Sequence, residues 1–421
     1  MEKVIAMKNT MASDHTGWTT ALYKKIVLSI LSRMKKGELN VTFPNGDVES
    51  FGGNDKSIVA NIKINNARFF KRIVMFGDIG FGESYVDGDW ETDSITNVIS
   101  WMIMNVENNP AVSGAGSKFS PISLLKVINK AYHKLNINSK RGSKKNISEH
   151  YDLNNDFFKL WLDESMTYSS AIFEGDTSDL KDAQIAKYDR LCRQLKIKST
   201  DHVLEIGSGW GGFSIYAAQN YGCKITTTTI SEEQYKYAKN LIAEKKLDDK
   251  IEILLKDYRE LAGSYDKIVS IEMLEAVGHK YLPIYFSKVN DLLKPDGAIG
   301  LQVITSHDSN YEKLRKGIDW IQKHIFHGSL LPSIAAINSA VNNTSDLYLH
   351  DLKNIGLDYA RTLREWRISF NSKLNDVLKL NFSNSFVRKW NYYLSYCEAA
   401  FAMRNISVVQ MVYTRPNNRN L

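Results

Sequence analysis

The chain has 421 residues, of which 24% are charged and 43% are hydrophobic, with only 7 prolines and 3 cysteines. This length predicts two or three domains, and the composition excludes long disordered, collagen-like and low-complexity architectures. No apolar run approaches the roughly 18 residues that a membrane span needs, and no amino-terminal segment resembles a secretory signal. Cys192, Cys223 and Cys397 fit neither a metal site nor a disulfide framework. We therefore expect a cytoplasmic protein that holds no metal.

The net charge of +7 is concentrated in residues 118–145, which contain eight basic residues and no acidic one. Within this segment, apolar residues recur at helical spacing from Leu124 to Leu135. The adjacent stripe consists of Lys126, Lys130 and Lys134. The pattern predicts a basic amphipathic helix that binds an anionic lipid surface, or a helix packed on its own protein with a solvated lysine face. Basicity this local argues against general nucleic-acid binding.

The sequence pattern of residues 1–117 predicts a small α+β domain. Two extended runs, 41–43 and 48–51, flank a Pro-Asn-Gly-Asp turn, and Asn-Gly tolerates the positive φ of a hairpin turn. A second glycine-rich stretch, 77–90, predicts further tight turns. The Asn-, Gly- and Ser-rich residues 108–117 predict a flexible linker that ends this domain.

From residue 201 onward, short apolar runs alternate with helical patterns. Strands are predicted at residues 202–206, 224–230, 251–255, 266–271 and 298–304. Strands that alternate with helices indicate an α/β domain whose parallel sheet is covered on both faces.

A glycine-rich loop, residues 205–213, follows the first of these strands and opens a helix. Glycines at this place let a ligand approach the backbone at the carboxyl end of the strand. A dinucleotide would also need an acidic residue that closes the second strand, but residues 226–231 contain none. The loop therefore favours S-adenosylmethionine over a dinucleotide, and Glu205, just before the glycines, also suits S-adenosylmethionine.

From residue 150 to about residue 413 the chain resembles the cyclopropane fatty acid synthase family of S-adenosylmethionine-dependent lipid methyltransferases, which includes mycolic acid cyclopropane synthases. The matching segments are 150–153, 156–158, 166–170, 183–187, 205–213, 229–234, 257–259, 269–275, 326–328, 331–333 and 359–363 with Trp366. The resemblance implies that residues 146–421 form a Rossmann-like class I methyltransferase with a seven-stranded sheet and a helical lipid-binding insertion. The glycines near Trp90 resemble the amino-terminal domain of longer members.

The resemblance also implies which residues hold S-adenosylmethionine. The methionine end is assigned to Tyr168, Ser169, Gly207, Gly209 and Gly211. The adenosine side is assigned to Thr229, Ile230, Ser231, Gln234, Asp257 and Tyr258. Helix capping and turn bonding are the alternative roles for Ser169, Thr229 and Ser231.

Methyl transfer to an isolated alkene requires close alignment and a dry pocket, because the carbocation that forms would react with water. Ring closure then needs a base that removes a proton from the transferred methyl group. The resemblance implies that this base is a bound bicarbonate ion. Its implied ligands are Ser170, Glu275, Gln302, the Ile304 backbone and Tyr359; for Glu275, a surface carboxylate is the alternative.

Two of these positions depart from the family pattern. Ser170 stands where many members have Cys, and Gln302 stands where they have His. Both side chains retain a hydrogen-bond donor, but Gln302 cannot titrate. The departures put bicarbonate binding and ring closure in question more than methyl transfer.

The expected function is transfer of a methyl or methylene group to the double bond of an unsaturated phospholipid acyl chain, which forms a cyclopropane. Methylation without ring closure and a non-catalytic lipid-binding role are the alternatives. The expected location is the cytoplasm, with peripheral association at the inner face of the membrane. Related enzymes imply a homodimer.

Overall fold

A computed structural model describes residues 18–106, 155–175 and 179–421. The predicted basic helix, the linker and the matching segment 150–153 lie outside these residues. Within the described ranges, no helix is both long enough and apolar enough to cross a bilayer.

The amino-terminal part contains a four-stranded sheet packed beneath three helices. Its elements are α1 (Trp18–Leu31), β1 (Glu38–Thr42), β2 (Val48–Gly52), β3 (Val59–Ile64), α2 (Arg68–Val86), β4 (Trp90–Glu91) and α3 (Ile95–Val106). The strand order is β2-β1-β3-β4, and β1 pairs with β2 antiparallel and with β3 parallel. The predicted hairpin is confirmed, with Gly46 in its turn at φ 90°.

The glycine-rich stretch 77–90 differs from its prediction, because most of it forms the second half of α2 rather than turns. Only Gly77 interrupts the helix, at φ 58° and ψ −132°. Gly82 is required for packing: a Cβ atom there would lie 2.5 Å from the Trp320 ring. A glycine run can therefore mark a close helix contact as well as a turn.

The second part is built on a seven-stranded sheet with the order β10-β11-β9-β8-β5-β6-β7. Its strands are β5 (His202–Ile206), β6 (Lys224–Thr229), β7 (Ile251–Leu255), β8 (Tyr265–Ile271), β9 (Leu293–Ser306), β10 (Tyr348–Asn354) and β11 (Ile406–Thr414). Strands β5 to β9 are parallel, whereas β11 runs antiparallel to both β9 and β10. The five predicted strands are confirmed, and so is the seven-stranded sheet that the resemblance implied. The positions of β10 and β11 were not predicted; β10 has the same direction as β9, so only β11 runs against the rest of the sheet.

Helices cover this sheet and extend beyond it. They are α4 (Asn155–Lys159), α5 (Leu180–Gln194), α6 (Gly212–Tyr221), α7 (Glu232–Glu244), α8 (Leu282–Leu292), α9 (Asp308–Leu314), α10 (Trp320–His324), α11 (Ile334–Asn342), α12 (Gly356–Ser372), α13 (Leu374–Lys379) and α14 (Asn384–Ala402). Three short 3-10 turns span Tyr258–Glu260, Leu274–Ala276 and His279–Tyr281. The predicted α/β fold class is thereby confirmed.

Helix α14 joins the two parts of the molecule. The guanidinium of Arg388 donates hydrogen bonds to the Tyr85 and Trp90 carbonyl oxygens. The buried carboxylate of Glu398 accepts from Thr96 on α3 and pairs with two arginines of α12. A buried carboxylate is stable only when it is paired in this way. One apolar core runs across both parts as a result.

Candidate active site

A cavity of about 1850 Å³ opens at the carboxyl ends of β5, β6, β7 and β8. Its polar end is lined by the glycine loop, Thr229, Ile230, Asp257 and Tyr258. From there it continues into the amino-terminal part, where its walls are apolar except at Asp78. The lining residues on that side include Val27, Leu39, Val41, Ile62 and Phe69. A ligand with one polar and one long apolar portion matches this shape.

The glycine loop presents bare backbone to the cavity. Gly207, Gly209 and Gly211 all have positive φ, at 97°, 50° and 95°. The amides of Gly207 and Ser208 donate to the Thr228 carbonyl, which holds the loop against β6. A Cβ atom on Gly207 would approach the Met273 side chain to 3.2 Å. Only glycine combines this backbone conformation with this closeness, so the loop fits a cofactor laid against it.

The Glu205 carboxylate supports the loop from below. It accepts hydrogen bonds from the hydroxyls of Ser214, in the first turns of α6, and Thr227 on β6. Burial raises the pKa of the Glu205 carboxyl to about 7, against the two hydrogen bonds that lower it. Glu205 therefore fixes the start of α6 relative to the sheet as well as bordering the cavity.

On the adenosine side, the predicted residues divide between lining the cavity and shaping it. Ser231 is the N-cap of α7 and accepts from the Gln234 amide at 3.2 Å, so the capping role is present. The Thr229 hydroxyl donates to Gln234 Oε1 at 2.9 Å. The Asp257 carboxylate is held by the Arg259 guanidinium at 2.6 and 2.7 Å.

Four of these residues also line the cavity, whereas Ser231 and Gly211 do not. The four are Thr229, Ile230, Gln234 and Asp257, joined by Tyr258 at the next turn. Ser231 and Gly211 set the starts of α7 and α6, the two helices that frame the polar end.

Tyr168 and Ser169 lie where a loop before α5 meets the glycine loop, and both line the cavity. The Tyr168 hydroxyl is hydrogen-bonded to that of Tyr393 at 2.8 Å. Ser169 Oγ accepts from Lys187 Nζ at 2.7 Å, and Gln184 Oε1 accepts from the same ammonium at 2.6 Å. Burial lowers the pKa of Lys187. The sequence showed Lys187 only as the end of a matching segment and gave no sign of this contact.

On the opposite wall, the predicted anion ligands converge on a side chain that the sequence did not single out. Glu272, at the end of β8, accepts hydrogen bonds at Oε1 from the Ser170 amide and from Gln302 Nε2, both at 2.8 Å. Burial raises the pKa of this carboxyl, and the Tyr359 hydroxyl is among the groups that oppose the shift. The sequence feature that could have identified Glu272 is its position at the carboxyl end of a central strand.

Glu275 and Ile304 form a second contact beside the first. The Ile304 amide donates to Glu275 Oε1, and Glu275 Oε2 is buried without a hydrogen-bond partner in the described part of the chain. Burial, together with the negative charge of Glu272, raises the pKa of Glu275 to about 8. Glu275 is buried, so the surface-carboxylate alternative is wrong.

These contacts do not fit a bicarbonate ion. Three of the donors expected for it are already engaged by carboxylates: the Ser170 amide and Gln302 Nε2 donate to Glu272, and the Ile304 amide donates to Glu275. The Ser170 hydroxyl itself donates to the Ala171 carbonyl at 3.0 Å and does not face the cavity. The structure brings the five predicted residues together, but around carboxylates of the chain.

Comparison with known proteins identifies the family. A family model described as mycolic acid cyclopropane synthetase matches residues 138–411. The chain belongs to this family. A second model, described as a domain of unknown function (DUF7884), matches residues 26–110.

Two relatives match most of the chain. The tuberculostearic acid methyltransferase of Mycobacterium tuberculosis is 37% identical over 355 residues, which are 82% of this chain and 81% of the relative. The cyclopropane-fatty-acyl-phospholipid synthase of Escherichia coli is 37% identical over 362 residues, which are 85% of this chain and 89% of the relative.

Solved structures agree with these matches. The cyclopropane synthase MmaA2 from Mycobacterium tuberculosis has a TM-score of 0.60 at 27% identity and covers 65% of this chain and 98% of its own. Mycolic acid cyclopropane synthase CmaA1, complexed with SAH and CTAB, has a TM-score of 0.60 at 28% identity and the same coverage. The predicted class I fold and S-adenosylmethionine-dependent methyltransferase activity are confirmed.

Proposed function

We propose that this protein transfers a methyl group from S-adenosylmethionine to the double bond of an unsaturated acyl chain on phospholipid and closes it to a cyclopropane. The observation that carries the proposal is the single cavity that joins the glycine loop to a long apolar channel. The two relatives named for fatty acyl phospholipids and tuberculostearic acid support a fatty acyl substrate.

S-adenosylmethionine supplies an electrophilic methyl group whose C–S electron pair stays on sulfur when the alkene attacks. The chain's part is to hold the reactants in line, an effect that contributes roughly 7–11 kcal/mol in favourable cases. We assign the methionine end to Tyr168, Ser169 and the glycine loop. The adenosine contacts are assigned to Thr229, Ile230, Gln234, Asp257 and Tyr258, which line the polar end.

The apolar walls protect the carbocation that follows attack. Water would react with this cation, and the apolar side chains of the channel keep water away from it. Aromatic rings stabilise a cation without reacting with it, by about 2 kcal/mol where water is absent. Tyr359 and Phe401 lie side by side in this wall, with ring centroids 4.5 Å apart. We assign them this role.

Substrate entry from a membrane surface is supported by helix α1. Trp18, Leu22 and Ile26 recur every four residues and are 79%, 46% and 37% exposed. The later residues of the same helix, among them Val27 and Leu31, line the cavity. An exposed apolar stripe that leads to an apolar channel suits a helix lying on lipid, and basic residues 118–145 would add attraction to an anionic inner leaflet. The homodimer stays a prediction.

The product test uses vesicles of unsaturated phosphatidylglycerol and phosphatidylcholine with the purified protein and S-adenosylmethionine. We expect acyl chains heavier by about 14 mass units, with cyclopropyl proton signals in the NMR spectrum. The same mass gain without cyclopropyl signals would show methylation without ring closure. Unchanged lipids, with the cofactor bound, would contradict the enzyme assignment.

The membrane test replaces Lys126, Lys130 and Lys134 with Gln. We expect binding to anionic vesicles to fall about tenfold or more, with activity on dispersed substrate retained, because each lysine near the surface contributes about 1 kcal/mol. A matched control removes three exposed lysines of the catalytic part, Lys239, Lys245 and Lys246. Equal vesicle binding by both triple variants would assign residues 118–145 a structural role.

A further inference from the structure

Glu272 lies at the carboxyl end of β8, between the glycine loop and Tyr359, and faces the cavity. Its backbone is in the left-handed region, at φ 49°, which is uncommon for a residue other than glycine. The Glu272 amide donates to the Gln302 carbonyl at 2.7 Å, which anchors this conformation to β9. Strain of this kind persists only where the surroundings impose it, and it is common at functional sites.

The carboxylate of Glu272 is held as a bound anion would be. The Ser170 amide and Gln302 Nε2 donate to one oxygen, and the Tyr359 hydroxyl also favours the charged form of the group. Gln302 is fixed in turn, because its Nε2 also donates to the Ser170 carbonyl and its Oε1 accepts from Gln410 Nε2 at 2.9 Å. The Ser170 amide and Gln302 Nε2, two of the donors implied for a bicarbonate ion, are thus already engaged by Glu272.

A second anion would meet an unfavourable environment here. Burial, and after it the negative charge of Glu272, raises the pKa of the Glu275 carboxyl, so a further negative charge beside Glu272 is costly. Lys187 is the cation that acts on Glu272, and its ammonium is already engaged by Ser169 and Gln184. Burial raises the pKa of the Glu272 carboxyl above its usual range, which makes it a stronger base than an exposed glutamate.

We propose that Glu272 is the base that closes the ring, so that the side chain of this residue replaces a bicarbonate ion. In this step a C–H bond of the transferred methyl breaks and its electron pair forms the third C–C bond of the ring. The proton passes to the Glu272 carboxylate, which becomes neutral, and it returns to solvent after the product leaves. No further reactant is needed. The inference rests on the proposed function, since it assigns its final step.

The first test is dependence on bicarbonate. We expect the wild-type protein to form cyclopropane at the same rate, within about twofold, in carbon dioxide-free buffer and after addition of bicarbonate. In the 13C NMR spectrum of labelled bicarbonate, the wild-type protein should cause no saturable line broadening. Stimulation of turnover by bicarbonate, or saturable binding of the labelled ion, would overturn the proposal.

The second test compares Glu272→Gln with Glu272→Gly. Gln keeps the acceptor oxygen for Ser170 and Gln302 but is not a base, so cyclopropane formation should fall at least 100-fold, with S-adenosylhomocysteine affinity within about twofold. Glycine adopts positive φ without strain, and its lack of a side chain leaves the Ser170 amide and Gln302 Nε2 free to bind an anion. We therefore expect Glu272→Gly to fold, to bind labelled bicarbonate and to regain part of its activity when bicarbonate is added.

Glu244→Gln, an exposed carboxylate on α7, is the matched control and should retain wild-type turnover. Cyclopropane formation by Glu272→Gln near the wild-type rate would contradict the proposal, as would a Glu272→Gly variant that neither binds nor responds to bicarbonate. Methylated but open-chain product from Glu272→Gln would support it. Failure of the wild-type protein to modify lipids would instead contradict the proposed function, so the two failures are distinguishable.

Discussion

The two walls of the cavity are built by different means. The wall at the ends of β5 and β6 is mainly backbone: three glycines with positive φ, and helix starts set by Gly211 and Ser231. The wall at the ends of β8 and β9 centres on a side chain, Glu272, and the Ser170 amide, Gln302 and Tyr359 surround its carboxylate. Local sequence spacing is enough to specify a site made of backbone. A site made of side chains depends also on which residues of distant segments come into contact.

The largest effect expected on the backbone wall comes from Gly207→Val. Valine at this position would have to adopt φ 97°, and its side chain would approach Met273. The loop should therefore shift, and the affinity for S-adenosylhomocysteine should fall by about 100-fold, or ~2.7 kcal/mol. Calorimetric titration measures this. Gly46→Val is the control: it has a similar φ of 90° but open space around it, and should lower stability without changing affinity. Equal affinities for both variants would refute a cofactor role for the loop.

On the side-chain wall, Tyr359→Phe should lower turnover by roughly 10–100-fold, because it removes a hydroxyl that favours the charged form of Glu272, the proposed base. Affinity for S-adenosylhomocysteine should change less than twofold. Tyr413→Phe removes another buried hydroxyl, which donates to Asn338 at 2.7 Å, and should retain turnover. If both variants lose activity alike, the loss reflects packing of the sheet and not the site.

Glu275 gives this wall a dependence of stability on pH. Its folded pKa is raised from 4.5 to about 8, so its contribution to stability is complete below about pH 4.5 and is lost as the pH rises through about 8. The free energy of unfolding of Glu275→Gln, relative to that of the wild type, should therefore increase by about 2–4 kcal/mol from pH 5 to pH 9. Chemical denaturation at several pH values measures the gap. A gap that does not change with pH would mean that Glu275 is ionised throughout.

The smallest effect is expected for Ser231→Ala. Loss of the N-cap of α7 should lower the free energy of unfolding by about 1 kcal/mol. S-adenosylhomocysteine affinity should change less than threefold, because Ser231 does not line the cavity. An affinity loss of tenfold or more, with unchanged stability, would return Ser231 to the set of direct cofactor contacts.

Local sequence patterns were sufficient for much of the fold. Apolar runs gave the parallel strands β5 to β9, and Asn45-Gly46 gave the first hairpin. They failed at residues 77–90, where the glycines of α2 serve contacts such as that of Gly82 with Trp320, 238 positions away. Packing between distant segments overrides the local preference of glycine for turns.

The sequence by itself determined the family, the cofactor loop and the residues that gather at the two walls, because strand ends of a parallel sheet meet at one edge. Only the tertiary structure decided which groups those residues contact. Ser170, Gln302 and Tyr359 are distant in sequence, and their common partner Glu272 becomes evident only when β8, β9 and α12 are placed together. Hydrogen bonds between remote segments, and the burial that changes a carboxyl group's pKa, are properties of the packed chain.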